Sequence, residues 1–393
     1  MINSVLPVYK RADIQFVRGE GCNLFTADGT RYLDFVAGIA VCAFGHANPR
    51  LIKALTEQAN KVWIVSNMFV VPGQQRVAEK LKQVSFADTV FFTNSGVEAW
   101  ECGVKIIRRH FWGKGQPERN RIIVAQGLFH GRTIAAISAA KTPKMCDGFG
   151  PLVDGFDQVP FNDIEALEKA ITPQTGAIHF ETVQGEGGIT PATTAYLKAA
   201  RALCDKHGLL LFLDEIQCGM GRTGTLWAYE QAGVKPDVMC IAKSLGGGFP
   251  VGACLATEAA AAEMTVGSHG TTYGGNPLAM AVAEEVLNMI TEPGVLAHVN
   301  TVSAYADFKF RQLMQEFPTL IKDVRGKGLM LGLQLTEEYA DMHRLLLKHK
   351  LIGAGAGKDV LRFVPPLTVR EAEIDEAVEK TRAACQERLH ERH

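Results

Sequence analysis

No charge of either sign dominates this chain of 393 residues, in which 41 lysines and arginines stand against 42 aspartates and glutamates for a formal net charge of -1. Without a basic excess there is no field to hold nucleic acid or an anionic bilayer, so the expected partner is a small molecule. Long apolar runs are missing as well. No stretch approaches the roughly 20 residues that would span a bilayer, and the first residues reach Lys10 and Arg11 without the apolar run of a signal peptide. Nine cysteines are present, but they form no C-x-x-C pair and no Cys/His spacing suited to zinc. They read as core thiols in a reducing compartment, and the expectation is a cytoplasmic protein with no metal site. A Walker A phosphate loop is also lacking. Gly219-Met220-Gly221-Arg222-Thr223-Gly224 does match the spacing of a dinucleotide fingerprint. It does not start directly at a strand end, and the next residues, Thr225-Leu226-Trp227, do not clearly open a helix, so the match reads as accidental.

With 47% hydrophobic and 21% charged residues, the composition is that of a globular protein with a large core. From about residue 89 to 256, short apolar runs alternate with helical patterns, as a mostly parallel sheet requires. Strands are expected at 89–92, 121–124, 177–183, 209–214, 238–242 and 251–256. Several are apolar on both faces, so helices should cover the sheet on both sides, with ligands beyond the carboxyl ends of the strands. Before residue 50 the pattern changes to short runs broken by Gly19, Gly21 and Asp28-Gly29, which suggests a small meander. After about residue 295 come a long helical pattern, short apolar runs near 327–333 and 360–364, and a charged closing helix. The expected division is residues 1–50 as the N-terminal part of a small α+β domain, 51–294 as a large domain and 295–393 as the rest of the small one.

Two adjacent expected strands end in chemistry. The run at 209–213 leads into Asp214 and Glu215, and the run at 238–242 leads straight into Lys243. Either charge alone would mark only where a strand meets solvent; an acid and an amine leaving the same sheet edge together ask for more. A strand ending in Thr93-Asn94-Ser95-Gly96-Val97-Glu98 supplies it, because the helix expected at 98–111 would offer free N–H groups and the positive end of its dipole to a phosphate.

These residues, taken with Phe129-His130-Gly131-Arg132-Thr133, Gln184-Gly185-Glu186, Asp214-Glu215-Ile216-Gln217, Ala242-Lys243, Thr271-Thr272-Tyr273-Gly274-Gly275-Asn276-Pro277 and Arg362 before Pro365-Pro366, resemble the class III aminotransferases of the acetylornithine and ornithine type. The motifs are collinear over essentially the whole chain. The resemblance implies the α/β fold type I of pyridoxal 5'-phosphate enzymes, with a mostly parallel sheet between helices in the large domain and a smaller α+β domain, and it implies a homodimer. It makes Lys243 the Schiff-base lysine and proton carrier, and Asp214 the partner of the pyridinium nitrogen. Phe129 would stack on the ring and Gln217 would bond near its phenolic oxygen. Ser95, Gly96 and Val97 would hold the phosphate from one chain and Thr272 from the other. Arg132 and Arg362 would clamp carboxylates, with Glu186 neutralising Arg362 in one half-reaction. His130 reads as a packing or hydrogen-bonding residue.

The chain departs from the family at Val97, where Thr or Ala is common, and at Trp100, where Asn is usual; Cys42, Val65 and Thr182 also differ. Val97 has no hydroxyl, so backbone N–H groups must anchor the phosphate. Cys42 and Val65 would make the substrate entrance more apolar. The activity implied is transfer of an ω-amino group, first of all from N-acetylornithine as in arginine biosynthesis, to 2-oxoglutarate. Alternatives keep the chemistry with ornithine, succinylornithine, a 4-aminobutyrate-like donor or an amine and pyruvate; an aminomutase, a racemase or a non-catalytic homologue are further ones.

Overall fold

The computed structural model describes residues 4–392. A seven-stranded sheet runs in the order Thr89–Thr93, Gly252–Ala256, Val238–Ile241, Leu210–Asp214, Thr175–Glu181, Arg121–Ala125 and Phe156–Val159. Gly252–Ala256 is antiparallel to both of its neighbours, and the remaining pairs are parallel. Six of these strands coincide with expected runs. Phe156–Val159 was not expected: Asp157 and Gln158 are half-buried on an edge strand, so the segment lacks the continuous apolar signal of its neighbours. The run expected at 177–183 also needs correction, because the strand ends at Glu181 and Val183–Gln184 turns away to pair with Thr190–Pro191.

Alternate residues of the central strands enter two separate cores. Phe212, Ile122 and Val124 pack with Ile106, Ile107 and Phe111 of the helix Gly96–Gly113. Leu211, Leu213 and Ile123 pack on the other face with Tyr196, Leu197 and Ala200 of the helix Thr194–His207. Period-two alternation thus buries both faces, at roughly 1.5–3 kcal/mol for each large aliphatic or aromatic side chain. With both faces covered, the carboxyl edge is where a ligand can reach the sheet.

Residues 16–34 form the expected meander, Phe16–Glu20, Asn23–Thr26 and Arg31–Asp34, and Leu351–Ile352 pairs parallel to its third strand. A third sheet has the order Ile321–Lys327, Met330–Leu335, Val360–Phe363, Ala354–Ala356. The helices Val295–Glu316 and Glu371–Glu391 accompany it. The glycine-rich run at 219–224 is a buried turn packed against this region: Arg222 donates to the carbonyls of Leu329 and Pro365, and a Cβ at Gly328 would lie 2.5 Å from the Arg222 carbonyl. It cradles protein, and opens no helix. No helix among the described residues is long and apolar enough to cross a membrane.

Candidate active site

Asp214 and Lys243 leave neighbouring parallel strands, with Asp214 in register with Cys240. Both line a cavity of about 380 Å³ that also receives Gly96, Phe129, Glu186 and Gln217. Lys243 opens the short 3-10 turn Lys243–Gly246 with φ +46, a left-handed conformation that a side chain other than glycine's adopts at a cost. That turn throws the amine into the cavity instead of along the strand. Burial, helped by the charge of Arg362, lowers its pKa to about 8 from 10.5, so about a tenth of the amine is neutral and nucleophilic at pH 7, hundreds of times the share in an ordinary lysine.

Asp214 is held at both oxygens. Oδ1 accepts from the Ile216 N–H at 2.8 Å, and Oδ2 lies 2.7 Å from Nδ1 of His130. His130 therefore has a specific bonding task beside the carboxylate. Glu215, the next residue, turns the other way: its carboxylate accepts from Ala228 N–H at 2.8 Å, Tyr229 N–H at 2.9 Å and the Thr182 hydroxyl at 2.9 Å. Burial pushes its pKa up to about 7. Glu215 pins a loop. Glu215→Gln would set an amide N–H₂ against one or more of these donors, so it should destabilise the fold by about 1–3 kcal/mol in thermal denaturation with turnover of the folded enzyme intact. A loss of turnover without a loss of stability would return Glu215 to the site.

At the start of the helix Gly96–Gly113, Ser95 is the N-cap, and Glu98 N–H reaches its hydroxyl at 3.4 Å. The Ser95 hydroxyl itself donates to Glu98 at 2.8 Å, and Glu98 also accepts from Asn94 N–H and Nδ2, each at 3.0 Å. Glu98 thus freezes the turn and engages the serine hydroxyl, leaving the first-turn N–H groups of Gly96 and Val97 as the natural anion donors. The helix begins at Gly96, two residues before the expected start. Val97 fills the space beside Gly131, where a Cβ would meet its Cγ2 at 2.4 Å and where φ is +130; only glycine fits there.

Two guanidiniums belong to the surroundings. Arg362, on the strand Val360–Phe363, is buried and donates from one NH group to Glu186 at 2.7 Å and to Gln217 Oε1 at 3.3 Å. Arg132 is exposed, 5.7 Å from the centroid of the Phe129 ring, and makes no ion pair among the described residues. Phe129 is placed by its own N–H, which donates to Glu181 Oε2 at 3.1 Å, while Glu181 Oε1 accepts from Gly185 N–H at 3.1 Å. One buried carboxylate thereby ties the loop carrying Phe129 to the loop carrying Glu186, and burial together with the charge of Asp214 raises its pKa to about 8. Glu181 was absent from the sequence-derived set; an acid at the end of an otherwise apolar strand was the available signal.

Thr272 is not in this cavity. It lines a separate depression with Val65, Asn67, Met68 and His269, where Met68, Phe69, Val70 and Tyr273 are exposed. Val65 belongs to that depression too. Cys42 lies nearer the first cavity, its Sγ 3.8 Å from where a Cβ of Gly248 would sit.

An amine with no ion-pair partner among the described residues, a carboxylate and a helix start thus share one cavity. The model of the class-III aminotransferases matches residues 7–385. The chain belongs to that family. An acetylornithine aminotransferase of Mesorhizobium japonicum is 52% identical over 383 residues, 98% of this chain and 96% of the relative. The ornithine aminotransferase of Toxoplasma gondii superposes with a TM-score of 0.95 at 30% identity, covering 99% of this chain and 94% of that one. The N-acetylornithine aminotransferase of Stenotrophomonas maltophilia gives 0.85 at 38% identity, covering 97% and 98%. This class-III aminotransferase has the fold type I architecture, uses pyridoxal phosphate, and exchanges an amino group between a donor and an oxo acid. The donor set suits that cofactor: an amine for its aldehyde, a carboxylate for its ring nitrogen, and helix-terminal N–H groups for its phosphate.

Proposed function

We propose that this aminotransferase moves the ω-amino group of N-acetylornithine, or of a closely related N-acylated diamino acid, to 2-oxoglutarate, giving the semialdehyde and glutamate as in arginine biosynthesis. The observation that carries this reading is a pair of guanidiniums in different states beside the cavity, Arg132 against the Phe129 ring that lines it and Arg362 on Glu186 and Gln217. Arg132 has no ion-pair partner among the described residues, and Arg362 is neutralised by Glu186 at 2.7 Å. A donor with one carboxylate needs one free arginine. 2-Oxoglutarate, with two carboxylates, recruits Arg362 once Glu186 swings away, so that one cavity serves both half-reactions in a ping-pong cycle. The likeness to the Mesorhizobium and Stenotrophomonas enzymes favours an acylated donor; ornithine itself is the rival.

The residue roles rest on the same geometry. Pyridoxal phosphate, when bound, supplies an aldehyde that takes up the amino group and a ring that accepts electrons from the substrate carbon. Lys243 Nζ would hold the aldehyde between turnovers and carry the proton to and from that carbon. Asp214, oriented by His130 and Ile216 N–H, would hold the proton of the ring nitrogen. Phe129 would pack on the ring, and Gln217, with its Oε1 bonded by Arg362, has its amide N–H₂ to offer the phenolic oxygen. The first-turn backbone N–H groups from Ser95 to Val97 would hold the phosphate, the Ser95 hydroxyl being given to Glu98. Thr272 completes the phosphate site of a second copy, which assigns the exposed apolar surface around Met68 and Phe69 to a homodimer contact. The protein works in the cytoplasm, with its large domain at 51–294 and the small one built from the segments on either side.

The test is the near-visible absorbance of the purified protein before and after adding N-acetylornithine and then 2-oxoglutarate. The cofactor band should bleach with the donor and return with the acceptor. A band that bleaches with ornithine and ignores N-acetylornithine would overturn the donor assignment, and no band after adding pyridoxal phosphate would overturn the reading as a whole.

A further inference from the structure

Trp100 takes no part in the reaction as described, yet its indole is completely buried and its N–H is committed to a histidine. Nε1–H donates to Nε2 of His179 at 2.8 Å, and Nδ1 of His179 lies 2.9 Å from the Phe212 carbonyl on the neighbouring strand. An indole N–H only donates and a carbonyl only accepts, so His179 must carry its proton on Nδ1 and its lone pair on Nε2. The other tautomer would set N–H against N–H and lone pair against carbonyl. The doubly protonated ring would have no acceptor at Nε2, and burial beside the His130 ring opposes that charge as well.

The other side of this arrangement is His130. Trp100 stacks on it with centroids 5.6 Å apart and an interplanar angle of 11°, and the His179 ring lies 4.2 Å from it. Nδ1 of His130 meets Asp214, but the buried Nε2 has no hydrogen-bond partner among the described residues. The ring pivots about Cβ–Cγ, so its plane is held by the single bond at Nδ1 and by contact with the two neighbouring rings, and the His179 ring in turn is locked by the indole N–H and the Phe212 carbonyl.

We infer that Trp100 is a positioning residue for transamination: its N–H, with the Phe212 carbonyl at the other nitrogen, locks the His179 ring in place, and the Trp100 and His179 rings together hold His130 in the plane that keeps Asp214 aimed into the cavity. The inference rests on the reading that Asp214 serves the cofactor ring nitrogen. Trp100→Phe keeps an aromatic ring in the stack and removes the N–H. The experiment uses the holoenzyme with ¹⁵N-labelled histidine, with His179→Phe to identify the His179 signals. The unsubstituted enzyme should show His179 as the Nδ1-protonated form throughout the working pH range. In Trp100→Phe the Phe212 carbonyl still keeps the proton on Nδ1, so the tautomer should persist while the Nε2 resonance shifts on losing its donor, with kcat lowered about tenfold, the value of one buried hydrogen bond, and KM for both substrates changed by less than about twofold. An unchanged Nε2 signal or an unchanged kcat overturns the inference, because Trp100 would then only fill space. If Trp100→Phe does not fold, the unsubstituted enzyme decides: mixed tautomers or an ordinary imidazole titration at His179 overturn the inference. Loss of cofactor binding or amino exchange in the unsubstituted enzyme would instead count against the proposed function.

Discussion

Lys243→Ala should lower kcat by at least about a thousandfold, the scale of a lost proton carrier compounded by a lost covalent anchor, while leaving a folded protein. Both half-reactions should fail together in the absorbance experiment, because the same amine serves each. The variant should also separate function from stability. In the cofactor-free protein this amine has a pKa of about 8 in the fold against 10.5 in the open chain. A base whose pKa falls on folding weakens the fold below the folded value, because the unfolded chain binds a proton that the folded chain resists. The deficit shrinks as pH rises from about 8 to 10.5. Cofactor-free Lys243→Ala should therefore melt above the cofactor-free parent at neutral pH, with the gap closing through that window. Normal turnover would remove Lys243 from the mechanism, and a melting gap independent of pH would show that amine burial is not the cost.

Much of this site was legible in the sequence because its parts sit at strand ends. Apolar runs such as Leu211-Phe212-Leu213 announce a buried strand by themselves, and the first polar residue after one marks the sheet edge where ligands bind. Asp214 and Lys243 were readable for that reason. The helix start at Ser95 was readable from its small-residue turn, and the Ser95–Glu98 spacing is that of a capping box, in which the serine hydroxyl accepts from the Glu98 N–H. Harder to see were groups whose meaning depends on a distant partner. Glu215 follows Asp214 directly and looks equally chemical, yet one step along a strand reverses the side chain and sends it to the loop at Ala228 and Tyr229. Trp100 and His179 are 79 residues apart in the chain and meet only because the helix Gly96–Gly113 lies across the sheet. Edge strand Phe156–Val159 escaped for a related reason, since its neighbour on one side supplies the pairing that its own mixed sequence does not advertise.

Arg132→Ala should cost both half-reactions about 1.5–3 kcal/mol of transition-state binding, or roughly ten- to 150-fold in kcat/KM, the range for a lost hydrogen bond to a charged group. The symmetry of that loss is the informative part. Arg132 has no ion-pair partner among the described residues before substrate arrives, so its deletion removes only the bond to a carboxylate that donor and acceptor share. Arg362 differs, because it is buried and already bonded to Glu186 at 2.7 Å. Arg362→Ala should fall mainly on 2-oxoglutarate and glutamate, and it should also destabilise the fold through the cavity left by a buried side chain. Steady-state kinetics of each variant with N-acetylornithine and 2-oxoglutarate varied in turn would resolve the two patterns. If Arg132→Ala affected only the acceptor, the two arginines would have exchanged roles and the donor would be held by the buried one; if neither half-reaction changed, the carboxylate clamp would have to lie elsewhere in the cavity.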